Sequence, residues 1–288
     1  AIYNLFQVLL NDGDEVIIPS PYWLSYPAIV KLAGGKPVIL KTTPENGFRI
    51  EKQNLTSKIT SKTKFIIINS PNNPTGKILK EEDLNILAEV LRENQNINLI
   101  SDEIYELILK KDFKHISFAA FAKDLKDRIF TINGFAKGWA MTGWRLGYLV
   151  GKKEVIKASS TLQSQSTSNV CSFVQRGGLA ALKIKKEFFD EINSKFDERR
   201  DILCKGLIKI KGIYIEPPNG AFYAFPKLPN KKISSVEFCK NVLEDYGLVI
   251  VPGKAFGDDQ CIRISCASSK TKILDGLSRL EKAIKSYY

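Results

Sequence analysis

Lys137 and Arg145 share one glycine-rich stretch, Asn-Gly-Phe-Ala-Lys-Gly-Trp-Ala-Met-Thr-Gly-Trp-Arg-Leu-Gly-Tyr (133–148), with aromatic residues beside both. An amine held among apolar rings can lose its proton near neutral pH and attack a carbonyl carbon. A guanidinium suits a phosphate, which it meets with paired, charge-assisted hydrogen bonds. On these two residues alone, a solvated loop between strands is the better explanation. The decision rests on what the rest of the chain can bring to the same place.

Three other segments carry side chains able to join that chemistry. Trp23 ends Pro-Ser-Pro-Tyr-Trp (19–23), Asn73 lies in Asn-Ser-Pro-Asn-Asn-Pro-Thr-Gly (69–76), and Asp102 and Tyr105 belong to Ser-Asp-Glu-Ile-Tyr (101–105). Each follows a short apolar run, respectively Val16-Ile17-Ile18, Phe65-Ile66-Ile67-Ile68 and Asn98-Leu99-Ile100, just as Ile129-Phe130-Thr131-Ile132 precedes Lys137. Between two of these runs, acidic Glu81, Glu82 and Asp83 open a helix whose apolar stripe is Leu84, Leu87, Ala88 and Leu91. Short continuous apolar strands separated by helices predict an α/β fold with a mainly parallel sheet sandwiched by helices. In such sheets ligands bind outside the carboxyl ends of the strands. Singly, Trp23 could be core, Asn73 part of a turn and Asp102 a helix cap. Jointly, four strand ends with such residues point to a site.

The inventory matches the needs of a pyridine aldehyde cofactor carrying a phosphate. Such a group requires a lysine for a Schiff base and a carboxylate that keeps the ring nitrogen protonated. It also needs donors to a phenolate oxygen, an aromatic face and a cationic phosphate anchor. Lys137, Asp102, Asn73 with Tyr105, Trp23 and Arg145 supply these in that order. Once displaced from the aldehyde carbon by an incoming amine, Lys137 would be free to move a proton as general base and acid.

Ser-Pro-Asn-Asn-Pro-Thr-Gly (70–76), Ser-Asp-Glu-Ile-Tyr (101–105) and the run from Lys137 to Arg145 resemble the class I/II, fold-type I pyridoxal-phosphate aminotransferases. The branch most similar is that of bacterial aspartate and aspartate/prephenate aminotransferases. Pro-Tyr-Trp (21–23), Ala-Met-Thr-Gly-Trp-Arg (140–145), Ser-Gln-Ser-Thr-Ser (164–168) and Gly-Ala-Phe-Tyr (220–223) extend the resemblance along the chain in order. It implies pyridoxal 5'-phosphate bound covalently at Lys137, with Asp102 at the ring nitrogen and Asn73 and Tyr105 at the phenolate oxygen. It further implies Trp23 stacked on the ring and Arg145 on the phosphate. Arg263, in Ile-Arg-Ile-Ser (262–265), looks like the fork that clamps a substrate carboxylate, with Trp23 and Asn73 beside the substrate.

The implied activity is ping-pong transamination, with aspartate and 2-oxoglutarate as expected substrates, in a homodimer whose sites are completed across the interface. β-Elimination lyases and cyclopropane-forming synthases use the same scaffold and are the enzymatic alternatives. An inactive truncated homologue is the non-enzymatic one. Ala136 stands where many relatives have serine. Ala1 corresponds to a point just after the family's first phosphate-binding loop, and Ile2, Leu5, Phe6, Leu9 and Leu10 already have helical spacing. The chain is therefore expected to be N-terminally truncated.

The length of 288 residues suits two domains. Residues 1–185 are expected to form the larger one. A smaller α+β domain over 186–288 is expected to begin with one long charged helix at about 186–211. It continues with strand-like runs at 213–215, 221–225, 249–251 and 262–264. Ser234-x-x-Glu237 opens a helix that Gly247 stops, and a last helix starts near Ser269. Earlier, a helix after Gly151 is expected to reach Leu162, followed by a polar run at 164–169.

A net charge of +12 raises the question of nucleic acid. The lysines are scattered, however, in pairs such as Lys110-Lys111, Lys152-Lys153 and Lys231-Lys232, with no aromatic-interleaved basic block. No nucleic-acid partner is expected, and the positive field suits small anionic substrates. No apolar run is long enough to span a membrane, and the first residues do not read as a signal peptide. Five cysteines without metal-ligand spacing suggest reduced thiols in the cytoplasm. The single histidine, His115, rules out a multi-histidine metal centre; no metal is expected, and His115 is placed on a loop or the surface.

Overall fold

A computed structural model describes residues 1–229 and 233–288, so the Lys231-Lys232 pair lies outside the described residues. The first part of the chain alternates helix and strand: α1 (Ile2–Leu9), β1 (Glu15–Ser20), α2 (Ser25–Leu32), β2 (Lys36–Lys41), α3 (Lys52–Thr56) and β3 (Thr63–Asn69). It continues through α4 (Glu81–Glu93), β4 (Asn98–Asp102), α5 (Phe118–Phe121), β5 (Ile129–Gly134) and β6 (Gly147–Val150). These strands form one sheet in the order β2-β1-β3-β4-β5-β6. All neighbours are parallel except β6, which runs antiparallel to β5.

Alternation along the strands separates two cores. Ile17, Ile66, Ile68 and Leu99 face the α4 side with Leu84, Leu87 and Leu91. Val16, Ile18, Phe65, Ile67, Ile100 and Phe130 face the other, where α1 contributes Leu5 and Phe6. Both faces being covered explains why the strands read as unbroken apolar runs.

Beyond β6 come α6 (Lys153–Ser166), α7 (Ser172–Ala181) and α8 (Lys186–Lys209), the expected long charged helix. Helix α6 continues past Leu162, so Ser164, Gln165 and Ser166 of the polar run are helical. The remaining elements are β7 (Tyr223–Ala224), α9 (Ser235–Tyr246), β8 (Val251–Pro252), β9 (Ile262–Ser265) and α10 (Lys270–Tyr287). β7 and β8 flank β9, both antiparallel. The cap of α9 is as read: the Ser234 hydroxyl accepts from the Glu237 amide, and Gly247 closes the helix at φ 59°. Ser269 caps α10 in the same way.

Two strand expectations are corrected. Residues 213–215 pair only through Tyr214 with Lys227, between a left-handed Gly212 and Pro217-Pro218 that leave no room for a ladder. Val249 is 78% exposed and outside the sheet, which starts at Val251. The apolar side chains here form a third core from α8, α9, α10 and β9, including Leu203, Leu207, Phe238, Val242, Ile262 and Leu280.

Cys239, Cys261 and Cys266 are buried, Cys204 is half-buried and Cys171, at the start of α7, is exposed. Burial pushes the Cys239 and Cys266 thiols up to about 12 and that of Cys204 up to about 11. Among the described residues no helix is long and apolar enough to cross a membrane.

Candidate active site

The strand order places β1, β3, β4 and β5 side by side, so their carboxyl ends open on one edge of the sheet. Asn69 at the end of β3 is level with Asp102 at the end of β4, which is level with Ile132 in β5. From these ends Trp23, Asn73, Asp102, Tyr105 and Lys137 converge on one cleft of about 470 Å³. Arg145 enters the same cleft after the turn that follows Lys137, and Arg263 reaches it from β9. The structure thus brings together all seven residues singled out from the sequence.

Asp102 is fully buried, and burial pushes its carboxyl up to about 6. Two donors work against that shift: the Tyr26 hydroxyl at 2.6 Å from Oδ2, and the Ile104 amide at 3.2 Å from Oδ1. A carboxylate in that position has unmet demand for a cation, and a protonated pyridine nitrogen would meet it.

The Lys137 amine lies 5.7 Å from the Phe222 ring centre and 5.8 Å from that of Tyr105. Burial first, then the charges of Arg263 and Arg145, hold its pKa below that of an ordinary lysine, while Asp102 pulls the other way. It is therefore closer to its nucleophilic, neutral form than a surface lysine.

Tyr105 is buried with its hydroxyl 3.0 Å from that of Tyr223, and burial together with this neighbour holds its phenol far above the usual range. It stays a neutral hydrogen-bond donor. The Arg263 guanidinium is sandwiched, 4.6 Å from the Tyr223 ring centre and 4.8 Å from that of Phe256. Its Nη1 donates to Asn73 Oδ1 at 3.0 Å, whereas its Nε is buried with no partner among the described residues. A buried donor without an acceptor is costly, and an anion entering the cleft could supply one.

Arg145, in the left-handed region at φ 52°, is exposed and holds the Thr142 carbonyl at 2.9 Å. It shares the cleft with Ile2 of α1. The Arg145 charge favours an anion there. Trp23 meets Tyr26 edge-on, with centroids 5.3 Å apart. Donors, carboxylate, amine and anion site therefore fit pyridoxal phosphate.

Three participants escaped the sequence reading. Tyr26 follows Trp23 by one helical turn, and that spacing was the available signal. Asn69 donates to the Asp102 carbonyl and accepts from the Asn73 amide, at 2.9 and 2.8 Å, and looked like an ordinary strand end. Tyr223 closes Gly-Ala-Phe-Tyr (220–223), a motif whose sequence alone assigns it no partner. His115 lies on a loop, and its side chain is only 8% exposed and meets Glu103 at 3.2 Å. Glu103 also accepts from Ser101 and Ser117, at 2.7 and 3.0 Å, which draws the imidazole inward.

A family model for aminotransferase class I and II matches residues 1–280. An aspartate aminotransferase of Bacillus subtilis is 43% identical over 292 residues, covering 100% of this chain and 74% of the relative. A probable aspartate/prephenate aminotransferase of Rickettsia felis is 43% identical over 296 residues, with 99% and 72% covered. Among solved structures, the aspartate aminotransferase of Rhizobium meliloti superposes with a TM-score of 0.94 at 37% identity, covering 99% of this chain and 74% of that one. An aromatic aminotransferase of Pyrococcus horikoshii does so at 0.95 and 36%, with 99% and 76% covered. The chain belongs to the class I and II aminotransferase family. It has the fold-type I architecture, and pyridoxal phosphate is the family's cofactor.

Proposed function

We propose that the site transfers the amino group of aspartate to 2-oxoglutarate in two half-reactions, the donor leaving as its oxo-acid before the acceptor enters. The observation that carries this reading is Arg263, a sandwiched guanidinium beside Lys137 and Asp102 whose buried Nε has no partner among the described residues. A planar fork with open donors suits the α-carboxylate that both substrates share.

When bound, pyridoxal phosphate supplies an electron sink for the pair released at the substrate α-carbon. Asp102 would hold negative charge at the ring nitrogen, while Tyr105 and Asn73 would offer donors to the phenolate oxygen. Trp23 would stack on the ring and lie beside the substrate, and Arg145 would hold the phosphate. The Lys137 amine would anchor the cofactor and, once freed, would take the proton from the substrate α-carbon and deliver it to the carbon that had been the cofactor's aldehyde. Its lowered pKa suits that exchange.

Residues 1–185 and 186–288 act as large and small domains; their separate cores support this division. The working unit is a homodimer. Helix α7 supports it by exposing Phe173 and Leu179, with Leu182 just beyond its end and an exposed Trp144 nearby. Five free cysteines support a cytoplasmic location.

The test is turnover of the chain loaded with cofactor, comparing aspartate, prephenate and aromatic amino acids. Oxaloacetate and glutamate formed in equal amounts are expected. Release of ammonia and pyruvate would assign elimination chemistry, and absence of any amino transfer would overturn the reading.

A further inference from the structure

Helix α8 turns one stripe of polar side chains onto the backbone that follows Tyr105. Asn193 donates to the Leu107 carbonyl at 3.0 Å and accepts from the Leu109 amide at 3.1 Å. Asp197 accepts from the Lys111 amide at 2.8 Å, and Asp201 pairs with Lys110 at 3.2 Å. In the middle is Arg200, 1% exposed, which donates to the carbonyls of Leu109 and Ala221 and pairs with Asp197. The spacing 193, 197, 200, 201 keeps all four on one helical face.

The two carbonyls held by Arg200 belong to different parts of the site. Leu109 lies four residues beyond Tyr105. Ala221, at φ 51° in the left-handed region, comes two residues before Tyr223. The segments meet directly, since the Ala221 amide donates to the Ile108 carbonyl at 2.8 Å and the Lys110 amide to that of Asn219 at 2.9 Å. At the far end of this seam stand the Tyr105–Tyr223 hydroxyl pair and the Arg263 guanidinium stacked on Tyr223. An ion pair such as Asp197–Arg200, with the guanidinium buried and the carboxylate half-buried, is a poor means of stabilising a fold, and its better-attested use is to specify one geometry.

We propose that Arg200 is a positioning residue: it fixes the Tyr105–Tyr223 seam and thereby sets the carboxylate-binding posture of Arg263. The proposal rests on the amino-transfer reading for its ligand. Its guanidinium spans two carbonyls and a carboxylate at once, which a lysine ammonium on a flexible stem does not reproduce.

The test uses the full chain with cofactor and compares wild type with Arg200→Lys. The ligand is maleate, a dicarboxylate with no amine to transfer, titrated by calorimetry, alongside KM and kcat for aspartate and 2-oxoglutarate. The maleate Kd and both KM values are expected to rise together by about tenfold, with kcat within about threefold of wild type. Hydrogen exchange without added cofactor is expected to quicken at 107–111 and 219–223 together. Faster exchange with unchanged Kd and KM, or a lowered melting temperature alone, would overturn the positioning role. If Arg200→Lys does not fold, Asp197→Asn serves: a rise of about threefold in Kd supports the proposal and no change overturns it. Failure of the wild type to bind maleate would instead sink the amino-transfer reading, and this inference with it.

Discussion

Replacing Asp102 with asparagine is expected to make the cofactor-free protein more stable at pH 8 and to spoil it for its cofactor. The Asp102 carboxyl moves from 3.8 to about 6 on folding, chiefly through burial. A group whose pKa is raised by folding contributes stability that is full below the lower value and is lost as pH rises through the higher one. The loss therefore falls between pH 3.8 and about 6 and amounts to about 3 kcal/mol at pH 8. Asparagine removes that penalty and keeps an oxygen for the Ile104 amide. Its NH2 group must take the place of Oδ2, so the Tyr26 hydroxyl has to turn and accept, at a cost of about 1 kcal/mol. The net gain at pH 8 is about 2 kcal/mol, and it disappears near pH 4, where the wild-type carboxyl is neutral in the folded state. Urea unfolding followed by circular dichroism at pH 4, 5, 6 and 8 measures it, and saturating cofactor is expected to reverse the order at pH 8. A variant less stable than wild type at pH 8 without cofactor, or a difference that does not vary with pH, would refute the reasoning.

Lys137→Ala is expected to lower turnover by about 10,000-fold, and borohydride reduction followed by peptide mass mapping will label residue 137 only in the wild type. Tyr26→Phe removes the hydroxyl that holds the Asp102 carboxyl down, so its pKa climbs further; the acid limb of kcat/KM against pH moves toward neutrality and activity drops about tenfold. An unmoved pH profile would show that Tyr26 is not coupled to Asp102. Gly76→Ala meets two obstacles: φ of +67°, and a Cβ that would stand 2.5 Å from Pro218 Cβ and 2.8 Å from the Gly220 carbonyl oxygen. It is expected to destabilise the fold by about 2–4 kcal/mol in urea unfolding, and a neutral result would mean that the Pro218 loop yields freely.

The sheet was legible because it is covered on both faces. Ile66, Ile67 and Ile68 read as one apolar run because alternate residues enter opposite cores. The site was legible because its residues follow strand ends within a few positions, where adjacency in a parallel sheet is automatic. Less regular packing hid the rest. Tyr26 looks like any aromatic on an amphipathic helix, and only the three-dimensional approach of α2 to β4 gives its hydroxyl to Asp102. His115, alone in a stretch rich in lysine, carried no hint of the buried Glu103 that receives it. The strands of the smaller part were over-read at 213–215 and 249–250, where apolar residues pack against helices or face solvent without a ladder partner.

The uneven exposure of the five thiols gives the protein a built-in chemical reporter. Cys239, Cys261 and Cys266 are buried, and burial also holds Cys204 up near 11, which leaves Cys171 as the accessible sulfur. It lines a cleft of about 910 Å³ with Trp144, Arg145 and Phe173, beside the apolar residues proposed to meet a second subunit. A maleimide dye is therefore expected to label residue 171 first, without any engineered cysteine, and to do so more slowly as protein concentration rises and the face is covered. Labelling kinetics would thus follow subunit association in real time, and a rate independent of concentration would place the dimer contact elsewhere.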